Sequence, residues 1–229
     1  MPRSKNKALL NTCFDADGSS IEVGIDEAGR GPMLGRVYSA AVVLPKEGEY
    51  KHELMKDSKR FSSNKKIREV AQYIRENAIV WAVGYATEED IDNHNIRQST
   101  FKAMHSAIKQ VLSTLPSYDV RLLVDGNDFK AYTIFNEETG IVQIPHKCIE
   151  GGDNKYTSIA AASILAKVAR DDYIEDICKE DSSLDERYGI LRNKGYGTKV
   201  HMDGIAEYGI TKHHRRTFGI CQQYDQSLV

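Results

Sequence analysis

The sequence predicts an α/β fold, a mixed sheet flanked by helices with a helical C-terminal extension. Two observations carry this. Short apolar runs rich in β-branched residues come first, and such runs then alternate with segments of helical spacing. A 41% apolar share of 229 residues is enough to build a real core in one large domain. The expected organisation is a core over 1–185 and an extension over 186–229 packed on it as a single unit.

The elements follow in order. Residues 20–26 and 36–44 read as two strands joined by a glycine-rich turn, and Pro45 ends the second. Ser62 or Ser63 can cap a helix running to about Asn77, with Ile67, Val70 and Ile74 at helical spacing. Ile79 to Tyr85 reads as a third strand, with Trp81 in the core. A helix from about Asn95 to Leu112 carries Ile96, Phe101, Met104 and Ile108 on one stripe, and Pro116 closes it. Val120 to Val124 is a fourth strand that delivers Asp125 at its end. Ile141 to Ile144 is a fifth, after a loop with room for a short helix. Residues 154–179 form an alanine-rich helix suited to close packing. Beyond 185, turns alternate with a helix near 199–208.

Charge and composition exclude several classes. Net charge is −2, so a uniformly basic nucleic-acid binder is not indicated. The distribution is more telling. Lys56 to Arg68 holds six basic residues against Asp57 alone, and Lys194 to Arg216 holds five lysines and arginines plus three histidines. Such runs are commonly solvated faces, and they also suit a phosphodiester bound over an acidic centre. No run of about 18 apolar residues suggests a membrane span. The first residues, Met-Pro-Arg-Ser-Lys-Asn-Lys, lack a secretory apolar segment. Cys13, Cys148, Cys178 and Cys221 are scattered, which favours reduced thiols and a cytoplasmic setting over disulfides or zinc.

Chemistry concentrates at residues 23–35. Asp26 and Glu27 end an apolar strand, and neighbouring strand side chains point to opposite faces, so one acid turns toward the core. Burying an unpaired carboxylate is costly unless a metal or partner compensates; a solvated Asp-Glu turn is the plainer alternative. Gly29-Arg30-Gly31 favours a ligand, because the glycines let backbone approach it and the arginine offers a fork suited to phosphate. Asp125 stands at the carboxyl end of a strand, where α/β sheets build their sites. Asp153 follows two glycines at the mouth of the alanine-rich helix, where it serves equally as a cap. Four carboxylates brought together would repel unless cations lay between them, and an all-oxygen set suits Mg²⁺ or Mn²⁺. Two such ions about 3.5–4 Å apart can drive phosphodiester hydrolysis.

The chain resembles type 2 ribonuclease H, the ribonuclease HII family, over nearly its full length. The matching segments, in the family's order, are Gly24-Ile-Asp-Glu-Ala-Gly-Arg-Gly-Pro, Asp57-Ser-Lys59, Asp125-Gly-Asn, Gly152-Asp153, Ser158-Ile-Ala-Ala-Ala-Ser-Ile-Leu-Ala-Lys-Val-Ala-Arg-Asp171, Lys194-Gly-Tyr-Gly-Thr198 and His214-Arg-Arg-Thr-Phe218. The first and the alanine-rich segment are highly specific. The resemblance implies a ribonuclease H-like fold and metal-dependent cleavage of RNA paired with DNA. It also implies cutting 5′ of single ribonucleotides embedded in duplex DNA, leaving a 3′-hydroxyl and a 5′-phosphate.

By motif, Asp26, Glu27, Asp125 and Asp153 take the family's catalytic, metal-binding positions. Gly29, Arg30 and Gly31 take its ribose-reading loop. Tyr196 takes the tyrosine that packs on the sugar after the ribonucleotide, and Lys59 is expected to meet a phosphate. Asp171 lies about 27 Å along the helix from Asp153 at 1.5 Å per residue, so it is assigned a structural role with Arg170. Arg36 and Ala169 depart from the family's common residues without touching the acids. The glycine loop separates the chain from type 3 relatives. A monomer is expected, with accessory subunits not required.

Competing readings are a DNA nuclease of related fold and a non-catalytic binding module. The ribose-reading loop and Tyr196 argue against the first, and the intact acids against the second. A magnesium-dependent phosphatase is more remote, since the basic runs imply an extended polyanion. Asp15-Ala-Asp17-Gly18 reads as a surface turn, lacking the later ligands of a calcium loop. His201, His213 and His214, in basic company, read as solvated or phosphate-facing. Tyr188 and Tyr208 read as packing residues, and the tail after Phe218 as a frayed end.

Overall fold

The computed structural model describes residues 9–15, 20–116 and 119–224. Its centre is a five-stranded mixed sheet. β1 (Ile21–Ala28) pairs antiparallel with β2 (Val37–Val43), which pairs antiparallel with β3 (Val80–Ala86). On its other side β1 runs parallel to β4 (Val120–Asp125). β5 (Thr133–Asn136) and β6 (Gly140–Gln143) form a separate hairpin. β7 (His146–Ile149) then lies parallel to β4, giving the order β3-β2-β1-β4-β7.

Alternation of side chains sorts the sheet into two faces. Val23 and Ile25 of β1 and Leu122 and Val124 of β4 face α2 (Glu88–Leu112, taking its place after α1), where they bury Phe101, Met104 and Ile108. On the opposite face Ala40 and Val42 pack on α1 (Asn64–Asn77) and on the alanines of α3 (Thr157–Glu180). α3 runs unusually close to β1. A Cβ on Gly24 would lie 2.2 Å from the carbonyl carbon of Ser158, so only glycine permits this approach. The mixed sheet between helices is the architecture expected.

After α3 the chain folds through α4 (Ser183–Tyr188), α5 (Ile190–Asn193) and α6 (Lys199–Tyr208). These close over Ile174, Ile177 and Cys178 with Leu184, Tyr188, Ile190 and Ile205. Among the described residues, no helix is long and apolar enough to cross a membrane. Cys13, Cys148, Cys178 and Cys221 are free thiols.

Four local expectations need correction. α2 begins at Glu88, seven residues before Asn95, because Thr87 and Asp90 form a reciprocal capping box. Asn95 is instead a kink with φ 67°, where its side chain accepts from the amide of Gln98 and starts the second half. Ile141 to Ile144 contributes to β6, which pairs only with β5, and strand rather than helix fills the preceding loop. The fifth sheet strand is β7. The tail is not frayed through Tyr224: Gly219–Tyr224 makes 3-10 turns that bury Cys221 against Met33 and Leu34. Asp17 and Gly18 lie outside the described residues, while Asp15 pairs with Arg121 at 3.0 Å.

Candidate active site

Register brings the acids together. Ile25 pairs with Val124, so Asp26 and Asp125, each one residue on, stand side by side where the parallel pairing of β1 and β4 stops. Both project toward the α3 face, because Asp26 is opposite Ala40 on β2 and Asp125 is in phase with Leu123, which packs on Ile159. Glu27, one residue later, turns toward the α2 face. Asp125 also pairs with Ile149 at the end of β7. The chain then turns through Gly151, in a left-handed conformation, into Gly152–Asn154, which carries Asp153. The amide of Gly152 donates to Oδ1 of Asp125 at 2.6 Å.

Asp26, Glu27, Asp125 and Asp153 line one cleft of about 450 Å³. Gly29, Arg30 and Gly31 border it on one side, and Lys59 and Tyr196 also line it. All nine candidate residues therefore share this cleft. A Cβ on Gly31 would lie 3.4 Å from Cε1 of Tyr196, so the ring stands within van der Waals reach of that glycine.

Electrostatics record the crowding. Asp26 is buried, and burial, then the charges of Glu27 and Asp125, push its carboxyl well above the ordinary range. The amide of Glu27, at 2.6 Å, and the Ser163 hydroxyl oppose that shift. Burial also raises Glu27, against the pull of Arg30, whose Nη1 stands 3.3 Å from Oε1. Asp153 is raised by burial, then by Asp57 and Asp125.

The donor set is all oxygen, suited to a hard divalent cation, and positive charge between the acids would relieve their repulsion. Among the described residues, no three His, Cys, Asp or Glu side chains close on one point as a ready-made metal cage. Mg²⁺ characteristically takes one or two carboxylates and completes its shell with water and substrate phosphate. The acids fit that mode.

Several cleft residues escaped the sequence reading. Ser163, Lys167 and Arg170 of α3 all line the cleft, as do Arg192 and Lys194. The first three stand at i, i+4 and i+7 on an otherwise alanine-rich helix, a polar stripe legible by spacing alone. Asp57 accepts from the amide of Lys59 at 2.9 Å and from the side chain of Asn154 at 3.4 Å, joining the lysine's turn to that of Asp153.

Other expectations change. Asp171 is buried and pairs with Lys167, not Arg170. Arg170 donates instead to the carbonyls of Leu34, at 3.2 Å, and Lys194, at 2.9 Å. His201 and His214 are neither solvated nor phosphate-facing but buried against Tyr188. Arg215, from the second basic run, is fully buried and donates to the carbonyls of Gly29, Arg30 and Gly35 at 2.5, 3.0 and 2.8 Å. Tyr188 packs as expected, whereas Tyr208 is half exposed beneath Arg187.

A family model described as ribonuclease HII matches residues 23–221, which include every residue of this cleft. The chain belongs to the ribonuclease HII family. It is 46% identical over 198 residues to ribonuclease HII of Parabacteroides distasonis, covering 86% of this chain and 89% of that one. Among solved structures, ribonuclease H2 of Pyrococcus horikoshii superposes with a TM-score of 0.67 at 20% identity, covering 90% and 97% of the two chains. Ribonuclease HII of Archaeoglobus fulgidus, solved in complex with PCNA, gives 0.63 at 25% identity over 87% and 95%. Membership in the ribonuclease HII family makes the chain a type 2 ribonuclease H, a nuclease acting on RNA/DNA substrates.

Proposed function

We propose that this ribonuclease HII hydrolyses the RNA strand of RNA/DNA hybrids and cuts 5′ of single ribonucleotides embedded in duplex DNA. The products carry a 3′-hydroxyl and a 5′-phosphate. The observation that carries this reading is the opposition, across one cleft, of four carboxylates and a glycine loop capped by Tyr196. In this reading Asp26, Glu27, Asp125 and Asp153 hold Mg²⁺ or Mn²⁺. When bound, the divalent ions supply water activation and charge neutralisation at the scissile phosphate.

The chain's own residues do the rest. Asp26 is oriented by the Glu27 amide and by Ser163, so its oxygens face the cleft. Asp125 is held by the Gly152 amide. Gly29, Arg30 and Gly31 read the ribose through backbone groups at the 2′-hydroxyl, the one group that separates RNA from DNA. Arg215 supports this by fixing the carbonyls of Gly29 and Arg30 inward. Tyr196 packs on the following deoxyribose, and Lys59 receives a phosphate. The segment 186–229 works as one unit with the 1–185 core, because Tyr196 stands in the cleft beside the core's acids. The enzyme acts as a monomer.

The test is cleavage of a labelled duplex holding one ribonucleotide, with Mg²⁺ or Mn²⁺, beside an all-DNA duplex and an RNA/DNA hybrid. A single cut 5′ of the ribonucleotide, absent with all-DNA, is expected. Cutting of the hybrid alone would remove the junction role given to Tyr196.

A further inference from the structure

Three backbone segments meet behind the cleft. The amide of Met33 donates to the carbonyl of Gly195 at 2.8 Å, that of Gly35 to His213 at 2.9 Å, and that of Arg215 to Met33 at 2.8 Å. At their junction lies a buried histidine pair, His201 Nε2 to His214 Nε2 at 3.0 Å. The ends of this pair determine where its protons sit. The amide of Thr211 can only donate, and it reaches His214 Nδ1 at 2.9 Å. His214 Nδ1 is therefore bare, and the neutral ring carries its proton on Nε2. His201 Nε2 must accept that proton's hydrogen bond, so His201 carries its own proton on Nδ1. Nδ1 lies 3.0 Å from the carbonyl of Tyr196, which can only accept. A protonated ring at either position would set two N–H groups face to face, and burial pushes both histidines below their ordinary range.

We propose that the His201–His214 pair is a positioning device for Tyr196. By holding the Tyr196 carbonyl from behind, it fixes the ring beside Gly31 and so sets the spacing with which the cleft reads a ribose followed by a deoxyribose. The proposal rests on the junction-cutting function above. Neither histidine touches substrate. Their neighbour Arg215 anchors the opposing glycine loop from the same core, so both halves of the reader share one support.

The variants are His201→Ala, which removes the donor to Tyr196, and His201→Asn, whose amide can occupy the place of Nδ1. Thermal melts establish that both fold. The first readout is the ratio of kcat/KM on a duplex with one ribonucleotide to that on a uniform hybrid. Loss of one buried hydrogen bond predicts a fall of about tenfold in this ratio for His201→Ala, with recovery to within about threefold for His201→Asn. The second is amide exchange at Thr198, whose N–H also donates to the Tyr196 carbonyl at 2.8 Å and which should exchange faster in His201→Ala. The third is the imidazole ¹⁵N spectrum, expected to show neutral His201 protonated on Nδ1 and His214 on Nε2. An unchanged ratio with unchanged exchange, or the opposite tautomers, would overturn the proposal. Should the parent enzyme cut no embedded ribonucleotide, the functional reading falls, and exchange and tautomers still decide the positioning role.

Discussion

The Gly152 amide and the Asp125 carboxylate stand 2.6 Å apart, and this bond ties the end of β4 to the turn that carries Asp153. Two of the four acids are thus set by a single link between a strand end and a loop, while Asp26 is set by sheet register.

That link makes Asp125→Asn a clean probe. Asparagine keeps the Oδ1 that accepts from Gly152, so the fold is retained, while the charge at the cleft is lost. We expect kcat to fall by about a hundredfold or more with the melting temperature within a few degrees of the parent, measured by single-turnover cleavage and calorimetry.

Divalent ions should stabilise the protein itself. Asp26, Glu27 and Asp153 are raised by burial and by neighbouring acids, so the folded state holds protons that the unfolded state has released. Without metal, the stability these groups contribute is present at low pH and is lost as pH rises from about 4 through their raised folded values. Millimolar Mn²⁺ should therefore raise the melting temperature at pH 8 and leave it unchanged near pH 4. An equal shift at both would rule out binding by these acids.

Acid should weaken the C-terminal region by the opposite sign. Burial, with His201 and His213 nearby, depresses His214 from 6.5 to about 3. Above 6.5 both states are neutral and the contribution is complete. Below it the unfolded state takes up protons that the folded state refuses, so stability is lost between 6.5 and about 3. Urea midpoints should fall over this window, and His214→Gln, which keeps a donor at the Nε2 position, should flatten the dependence.

Gly24→Ala should destabilise by about 3 kcal/mol or prevent folding, because the added methyl meets the backbone of α3 rather than a flexible side chain. Chemical denaturation of the variant beside the parent protein measures this packing cost directly, because Gly24 is not among the glycines with a left-handed backbone.

Arg192→Ala should raise KM with little change in kcat. The residue lines the same cleft as the acids, and its guanidinium offers a phosphate a fork of donors. The slope of log(kcat/KM) against log[salt] should become shallower by about 0.7–0.9, the loss of one phosphate contact.

Much of this site was legible in the chain. Asp26 and Glu27 could be read as one inward and one rim acid because alternation along a strand is strict, and Asp26 is indeed the buried member. β7 was missed because His146–Ile149 is a short edge strand with two polar residues in four, too little for periodicity to register. The histidines were misread because local charge says nothing of tertiary burial. His201 lies 13 residues from His214, and only the folding of α6 against Tyr188 brings them together. Arg215 failed for the same reason: its partners, the carbonyls of Gly29, Arg30 and Gly35, lie some 180 positions earlier.

The pairing of Ile25 with Val124 has a further consequence. A slip of β1 by one residue would carry Asp26 into the apolar layer beneath α2 and swing Ile25 into the water of the cleft. Misfolding and loss of chemistry are then a single event. A preparation of this enzyme should contain active molecules and denatured ones, with no well-packed but silent fraction between them.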